Sequence, residues 1–357
     1  MINVTEPFLP PFEVYEGYLK KIWDRKWLTN NGPLVQELEN KLKDYLGVEH
    51  FFFTNNGTIA LQIAIKALDL KGEIITTPFS YVATTNSILW EGCKPIFADI
   101  NFNDFNIDPA KIIPLINEKT SGILATHVYG NPCNVDIIEK IAKEHNLKVI
   151  YDGAHSFGSS INNKPVLSYG DISTCSFHAT KLFHTIEGGA VITNDNTLAE
   201  KIMLYRQFGH IGDEYYSIGI NGKNSEFHAA MGLSIFPYID DIISKRKIIC
   251  DEYDKHLSGL NLILPKGLEG TNYNYAYYPV VFESEYMALR VKEYLANCGI
   301  FTRRYFYPSL NTLQFANGNF CPVSEDIALR VLALPLYYSL PLNEVQLITG
   351  YLKKLIN

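Results

Sequence analysis

Three short stretches hold residue types that could do chemistry together. Asn55-Asn-Gly-Thr58 is a polar turn between the apolar run Phe51-Phe-Phe53 and a helical pattern over residues 59–70. Unpaired N–H groups and the positive end of a helix dipole suit such a turn to a phosphate, and capping the helix is the other use of the same residues. The turn lacks the lysine and spacing of a P-loop, and no GxGxxG follows a strand-like run, which disfavours nucleoside triphosphates and dinucleotides. Asp152 ends the run Lys148-Val-Ile-Tyr-Asp152 and is followed by Gly153-Ala-His155. Ligands of open α/β sheets bind beyond the carboxyl ends of strands. Asp152 is therefore placed to pair with a cationic ring nitrogen, with His155 helping, or to cap the next helix. Lys181 closes Ser176-Phe-His-Ala-Thr-Lys181, past the end of another strand-like run. A lysine kept neutral by burial or a neighbouring cation forms Schiff bases, whereas a lone lysine is ordinarily a solvated surface group. A fourth stretch, Gly219-Ile-Asn-Gly-Lys223 ahead of a small-residue helix over 225–232, reads equally well as a capped helix.

An anion turn, a strand-end carboxylate and a Schiff-base lysine, in that chain order, are the parts needed to hold pyridoxal 5′-phosphate. Its aldehyde needs an amine, its ring nitrogen a carboxylate that keeps it protonated, and its phosphate an anchor. The elements around these residues are of the right kind. Apolar runs at residues 51–53, 73–77, 95–99, 122–128 and 148–152 are interleaved with helical patterns at 34–46, 59–70, 81–90 and 135–146, and further runs follow at 171–177 and 189–193. That alternation predicts an α/β domain with a mostly parallel sheet. A long helical region over 226–256 leads toward a smaller α+β domain, with a strand at 277–282 and helices at 285–297, 323–332 and 342–355. The expected division is residues 1–240 and 241–357.

Composition limits the alternatives. The chain has 357 residues, 31 Lys+Arg against 38 Asp+Glu, a formal charge of −7, and 23 Tyr with 20 Phe. The acidic balance argues against a protein whose main work is gripping nucleic-acid backbone, and the aromatic content excludes intrinsic disorder. No signal-peptide pattern or membrane-length apolar run is readable, so a cytoplasmic enzyme is expected. Six scattered cysteines, with no CxxC pair, point to buried reduced thiols rather than disulfides or a zinc site. His178 and His184, six apart, are poorly spaced for a metal and read as site or packing residues; no metal is expected.

The sequence resembles the DegT/DnrJ/EryC1/StrS family of sugar aminotransferases, which have the fold of type I pyridoxal-phosphate enzymes. The likeness runs through Trp27-Leu-Thr-Asn-Asn-Gly-Pro33, Asn56-Gly-Thr58, Pro78-Phe-Ser-Tyr-Val-Ala-Thr84, His127-Val-Tyr-Gly130, Asp152-Gly-Ala-His155, Ser176-Phe-His-Ala-Thr-Lys181, Glu187-Gly-Gly-Ala190, Gly219-Ile-Asn221, Arg303-Arg-Tyr-Phe-Tyr-Pro308 and Leu334-Pro-Leu336. The resemblance implies that Lys181 carries the cofactor and acts as general acid and base, that Asp152 meets the ring nitrogen, and that His155 meets the ring's phenolic oxygen. It implies that Tyr81 stacks on the ring and that Gly57, Thr58 and Ser176 hold the phosphate. Asn221 is implied to reach the cofactor phosphate of a second subunit, hence a homodimer with shared sites. Arg303, Arg304, Tyr305 and His178 are expected at the sugar nucleotide. Two positions depart from the family pattern: Gly153 replaces an alanine, and Lys223 an arginine. The lysine motif resembles the 4-aminotransferases, so L-glutamate and dTDP-4-keto-6-deoxyglucose are the expected substrates, in deoxysugar supply for O-antigen or lipopolysaccharide. GDP- or UDP-linked 4-keto sugars, a 3-keto sugar, and a non-catalytic regulatory relative are the alternatives.

Overall fold

A computed structural model describes residues 1–356. Two helices, α1 (Phe12–Arg25) and α2 (Pro33–Leu46), precede the first strand. The chain then alternates: β1 (His50–Thr54), α3 (Gly57–Ala67), β2 (Glu73–Thr76), α4 (Val82–Trp90), β3 (Lys94–Phe97), the one-turn α5 (Pro109–Ile112), β4 (Thr120–Thr126), α6 (Val135–Glu144) and β5 (Lys148–Asp152). The two-residue strands β6 (Ser160–Ile161) and β7 (Lys164–Pro165) precede β8 (Ile172–Ser176), β9 (Gly189–Thr193) and α7 (Asn196–Arg206). The main sheet has the order β1-β9-β8-β5-β4-β2-β3. β5 is parallel to β4 and β8, and β2 to β3 and β4, while β9 runs antiparallel to both β1 and β8. The mixed, mostly parallel sheet is the one expected.

The strands read as continuous apolar runs because helices cover both faces. All five residues of β9 and the last four of β5 are buried. In α6 the buried positions Val135, Ile138, Ile141 and Ala142 repeat at helical spacing, and Asn134 Oδ1 accepts from the Ile137 N–H at its start. Two segments differ from expectation. The helix over 226–256 is α8 (Glu226–Ile235) and α9 (Ile239–Leu257), parted by a 3-10 turn at Phe236–Tyr238 where Pro237 removes an N–H and blocks the helical path. The helix expected to reach 332 is α11 (Pro322–Arg330), and the residues after it form a strand.

A hairpin, β10 (His210–Ile211) and β11 (Glu214–Tyr215), projects between α7 and α8, and β12 (Thr271–Asn272) pairs with β6. The last part of the chain comprises β13 (Tyr278–Val281), α10 (Glu285–Asn297), α11, β14 (Val331–Leu334) and α12 (Leu342–Ile356). β13 and β14 pair antiparallel over a second core. α9 serves both cores: Ile239 and Ile242 face the main sheet, and Ile249, Cys250, Tyr253 and Leu257 face the second unit. Ile2 also packs into the second core, bridged to Ile300. Among the described residues no helix is long and apolar enough to cross a membrane. All six cysteines are free; five are buried as expected, and Cys298 is exposed.

Candidate active site

The carboxyl ends of β1, β5 and β8 open onto one cavity of about 250 Å³. At its floor, β1 hands over to α3 through Asn56, whose Oδ1 accepts from the Ile59 N–H (2.8 Å), while the Asn56 carbonyl accepts from Ala60 (3.2 Å). Of the first N–H groups of α3, those of Gly57 and Thr58 are left for a ligand. The start of α3 leans on β9: a Cβ at Gly189 would lie 2.5 Å from the Asn56 carbonyl, so only glycine fits there. Ser176, ending β8, stands against Gly57 on the same wall.

Asp152 ends β5 and is buried. Its Oδ2 accepts from Thr84 Oγ1 (2.7 Å) and its Oδ1 from the Ala154 N–H (3.1 Å). Burial, the largest effect, holds its carboxyl above the ordinary carboxylate value, and the two hydrogen bonds and the Lys181 charge offset part of that rise. His155 lies in the following turn, buried, with Nδ1 lacking a hydrogen-bond partner. Burial first, then the Lys181 charge, holds its imidazole well below the ordinary histidine range, so it is neutral. Asn274 fastens this turn, donating from Nδ2 to the carbonyls of His155 (2.7 Å) and Phe157 (2.8 Å). Neither Asn274 nor Thr84 is marked as a site residue by sequence pattern; Thr84 lies inside a family motif, and Asn274 in a segment with no signal.

Lys181 enters the same cavity from the loop beyond β8, so amine and carboxylate come from the ends of two paired strands. Tyr81 caps α4, half exposed, with its ring 6.2 Å from that of Tyr305. Tyr305 is buried, and its hydroxyl stands 3.5 Å from His155 Nε2. Arg303 lines the cavity with its guanidinium 4.6 Å from the centre of the Tyr305 ring. His178 is at the mouth, with Nε2 3.6 Å from Glu187 Oε1. His184 does not line the cavity: it ties down the N-terminal segment through the Phe8 carbonyl (2.8 Å).

Arg304 is placed otherwise than expected. It bonds Glu285 (2.7 Å) and the Leu329 carbonyl (2.9 Å), away from the cavity. The segment is extended, with Arg303 bridged to Ala333, so successive side chains point to opposite sides. Asn221 is exposed outside this chain's cavity, with Lys223 Nζ donating to its Oδ1 (3.0 Å). Among the described residues no three His, Cys, Asp or Glu side chains converge as a metal set.

The model of the DegT/DnrJ/EryC1/StrS aminotransferase family matches residues 13–353. The chain belongs to this family. It is 42% identical to a dTDP-4-amino-4,6-dideoxy-D-glucose transaminase of Shigella dysenteriae, with 99% of each chain covered. It is 32% identical to a GDP-perosamine synthase of Escherichia coli O157:H7, covering 96% of this chain and 95% of the relative. Among solved structures it is similar to DesI, determined in the presence of its TDP-sugar product: TM-score 0.94, 31% identity, covering 99% of this chain and 92% of that one.

The aminotransferase works with pyridoxal 5′-phosphate, and the cavity fits that group. Two unclaimed N–H groups at the start of α3 match a phosphate, the buried Asp152 a protonated ring nitrogen, and Lys181 an aldehyde carbon. The orphaned, neutral His155 adds a group able to hydrogen-bond the ring's substituents.

Proposed function

We propose that this enzyme moves the amino group of L-glutamate to the C4 keto group of dTDP-4-keto-6-deoxyglucose, giving dTDP-4-amino-4,6-dideoxyglucose. The observation that carries the reading is the convergence of Lys181, Asp152 and the open start of α3 on one cavity. The full-length likeness to a transaminase of that name supports the choice of sugar. The cofactor, when bound, supplies an electron sink and a carbon that accepts and returns the amino group.

The residues then act as follows. The Gly57 and Thr58 N–H groups and Ser176 hold the phosphate, with the dipole of α3 behind them. The Asp152 carboxylate accepts the hydrogen bond of the protonated ring nitrogen, His155 meets the phenolic oxygen, and Tyr81 covers the ring. Lys181 Nζ removes the α-proton of the amino donor and later delivers a proton to the sugar's C4, acting as base and then acid. Arg303 pairs with the diphosphate; His178 and Tyr305 border the sugar. Arg304 has no part in this reading.

The whole enzyme acts as a homodimer in the cytoplasm, with Asn221 reaching the partner's cofactor phosphate. It is divided into a cofactor domain, residues 1–240, and a smaller domain, 241–357, a division favoured by the passage of α9 from one core to the other although Ile2 packs on the smaller one. Its product is a deoxysugar precursor for O-antigen or lipopolysaccharide. The holoenzyme assayed with glutamate and a panel of dTDP-, GDP- and UDP-linked 3- and 4-keto sugars tests the substrate. Highest kcat/KM on the dTDP-linked 4-keto sugar is expected, and preference for any other member overturns the choice.

A further inference from the structure

The Asp152 carboxylate ends a file of hydroxyl groups. Thr126 Oγ1 donates to Ser80 Oγ (3.1 Å), Ser80 Oγ lies 2.7 Å from Thr84 Oγ1, and Thr84 Oγ1 donates to Asp152 Oδ2 (2.7 Å). The three hydroxyl residues are at most 2% exposed. They come from separate elements: Thr126 from the end of β4, beside Asp152 in the sheet register; Ser80 from the loop after β2; Thr84 from the first turn of α4.

Proton counting fixes the direction of the file. A hydroxyl has one proton to give. With Asp152 ionised, Thr84 spends its proton on the carboxylate, so Ser80 must donate to Thr84 and Thr126 to Ser80. Every bond then points toward the negative charge, and each polarises the next. We infer that Thr126, Ser80 and Thr84 form a one-way relay that keeps Asp152 ionised beneath the cofactor ring, and that they are positioning residues for the reaction. The inference rests on the reading that Asp152 meets the ring nitrogen. A carboxylate buried this deeply loses its hydration, and donors to its charged form are what replace it.

The Ala154 N–H also donates to the carboxylate, at Oδ1 (3.1 Å), and among the described residues no other neighbour supplies a donor to Oδ2. Cys133 and Cys175 face it as neutral thiols, Cys175 being pushed up to about 12 by burial. His155 is neutral, and His127, whose N–H donates to the Asp152 carbonyl, is held by burial at about 3. Lys181 is the remaining cation, and in the holoenzyme it is committed to the cofactor.

The test is the titration of Asp152 in the apo-protein, followed by carbon NMR with carboxyl-labelled aspartate; Asp152→Asn identifies its resonance. Loss of a donor to the charged form raises the midpoint, so Thr84→Val is expected to move it upward by about one pH unit. Ser80→Ala is expected to move it the same way by less, and Thr84→Ser, which restores the hydroxyl, to return it to the wild-type value. A wild-type midpoint in either Thr84→Val or Ser80→Ala, whatever their melting temperatures, overturns the relay. Binding of pyridoxal 5′-phosphate by the wild type is measured in parallel. Failure to bind would overturn the cofactor reading of Asp152, while the titration midpoints still decide the relay on their own.

Discussion

Lys181 and Asp152 approach each other because β8 and β5 are neighbours, and each stands at or just beyond its strand's carboxyl end. That much was legible from residue type and position. Arg304 was not, because nothing in the sequence marks this segment as extended, the conformation that sends neighbouring side chains to opposite sides. The two arginines therefore separate in experiment. Arg303→Ala is expected to raise KM for the sugar nucleotide about 10- to 100-fold, the cost of a charged hydrogen bond. Arg304→Ala is expected to leave KM within about twofold and lower the melting temperature, as steady-state kinetics and thermal unfolding would register. The buried histidines carry a pH signature. His127 stacks on Tyr151, accepts from the Cys133 N–H and is held at about 3 by burial. Below about pH 6.5 the unfolded chain takes up a proton that native His127 refuses, so stability falls with falling pH, by ~1.4 kcal/mol per unit for this one residue. Unfolding free energies from pH 7 to 5 should show a shallower slope in His127→Gln, the difference approaching one proton near pH 5; an unchanged slope would show that His127 does not take part.

At the scale of elements, strands buried on both faces and helices with a clear apolar stripe could be read from pattern. α1 and α7 could not: α1 buries only Ile22 fully, and α7 buries Ala199, Ile202 and the charged Arg206, which pairs with Glu39. The hydroxyl relay was equally invisible, since Thr84 and Asp152 are 68 positions apart and threonines at helix starts are commonplace. Gly153 is tightly enclosed. A Cβ there would lie 2.2 Å from Leu167 Cδ2 and 2.9 Å from the Thr174 carbonyl. Leu167, with Ser156 and the Thr174 carbonyl behind it, occupies the space that the methyl group of an alanine would need. Gly153→Ala is accordingly expected to cost about 1–3 kcal/mol through overpacking. Adding Leu167→Ala should cost less in the Gly153→Ala background than alone, as measured by denaturant unfolding of the double-mutant cycle. Additive costs would contradict the collision.

For the whole molecule, the acidic balance and the length pointed to an enzyme, and the dimer was implied by resemblance rather than by pattern. The proposed homodimer has exposed apolar side chains available: Phe208, Ile211, Tyr215, Tyr216 and Ile218 run up to Asn221, and Trp23 and Trp27 are exposed on and just after α1. If Asn221 serves the partner's site, Lys181→Ala and Asn221→Ala homodimers are each impaired. Subunit exchange between them creates heterodimers with one intact site. Activity should rise on mixing; no gain despite exchange, followed by native mass spectrometry, would place both residues in one subunit's site.

On the proposed reading Lys181 carries the cofactor in the cavity that it lines together with Asp152. Reduction of the holoenzyme with borohydride, followed by peptide mass mapping, identifies the residue that carries it. The expected result is one pyridoxyl-phosphate group per chain, on the peptide containing Lys181. A holoenzyme that yields no adduct, or an adduct confined to another lysine, would contradict it.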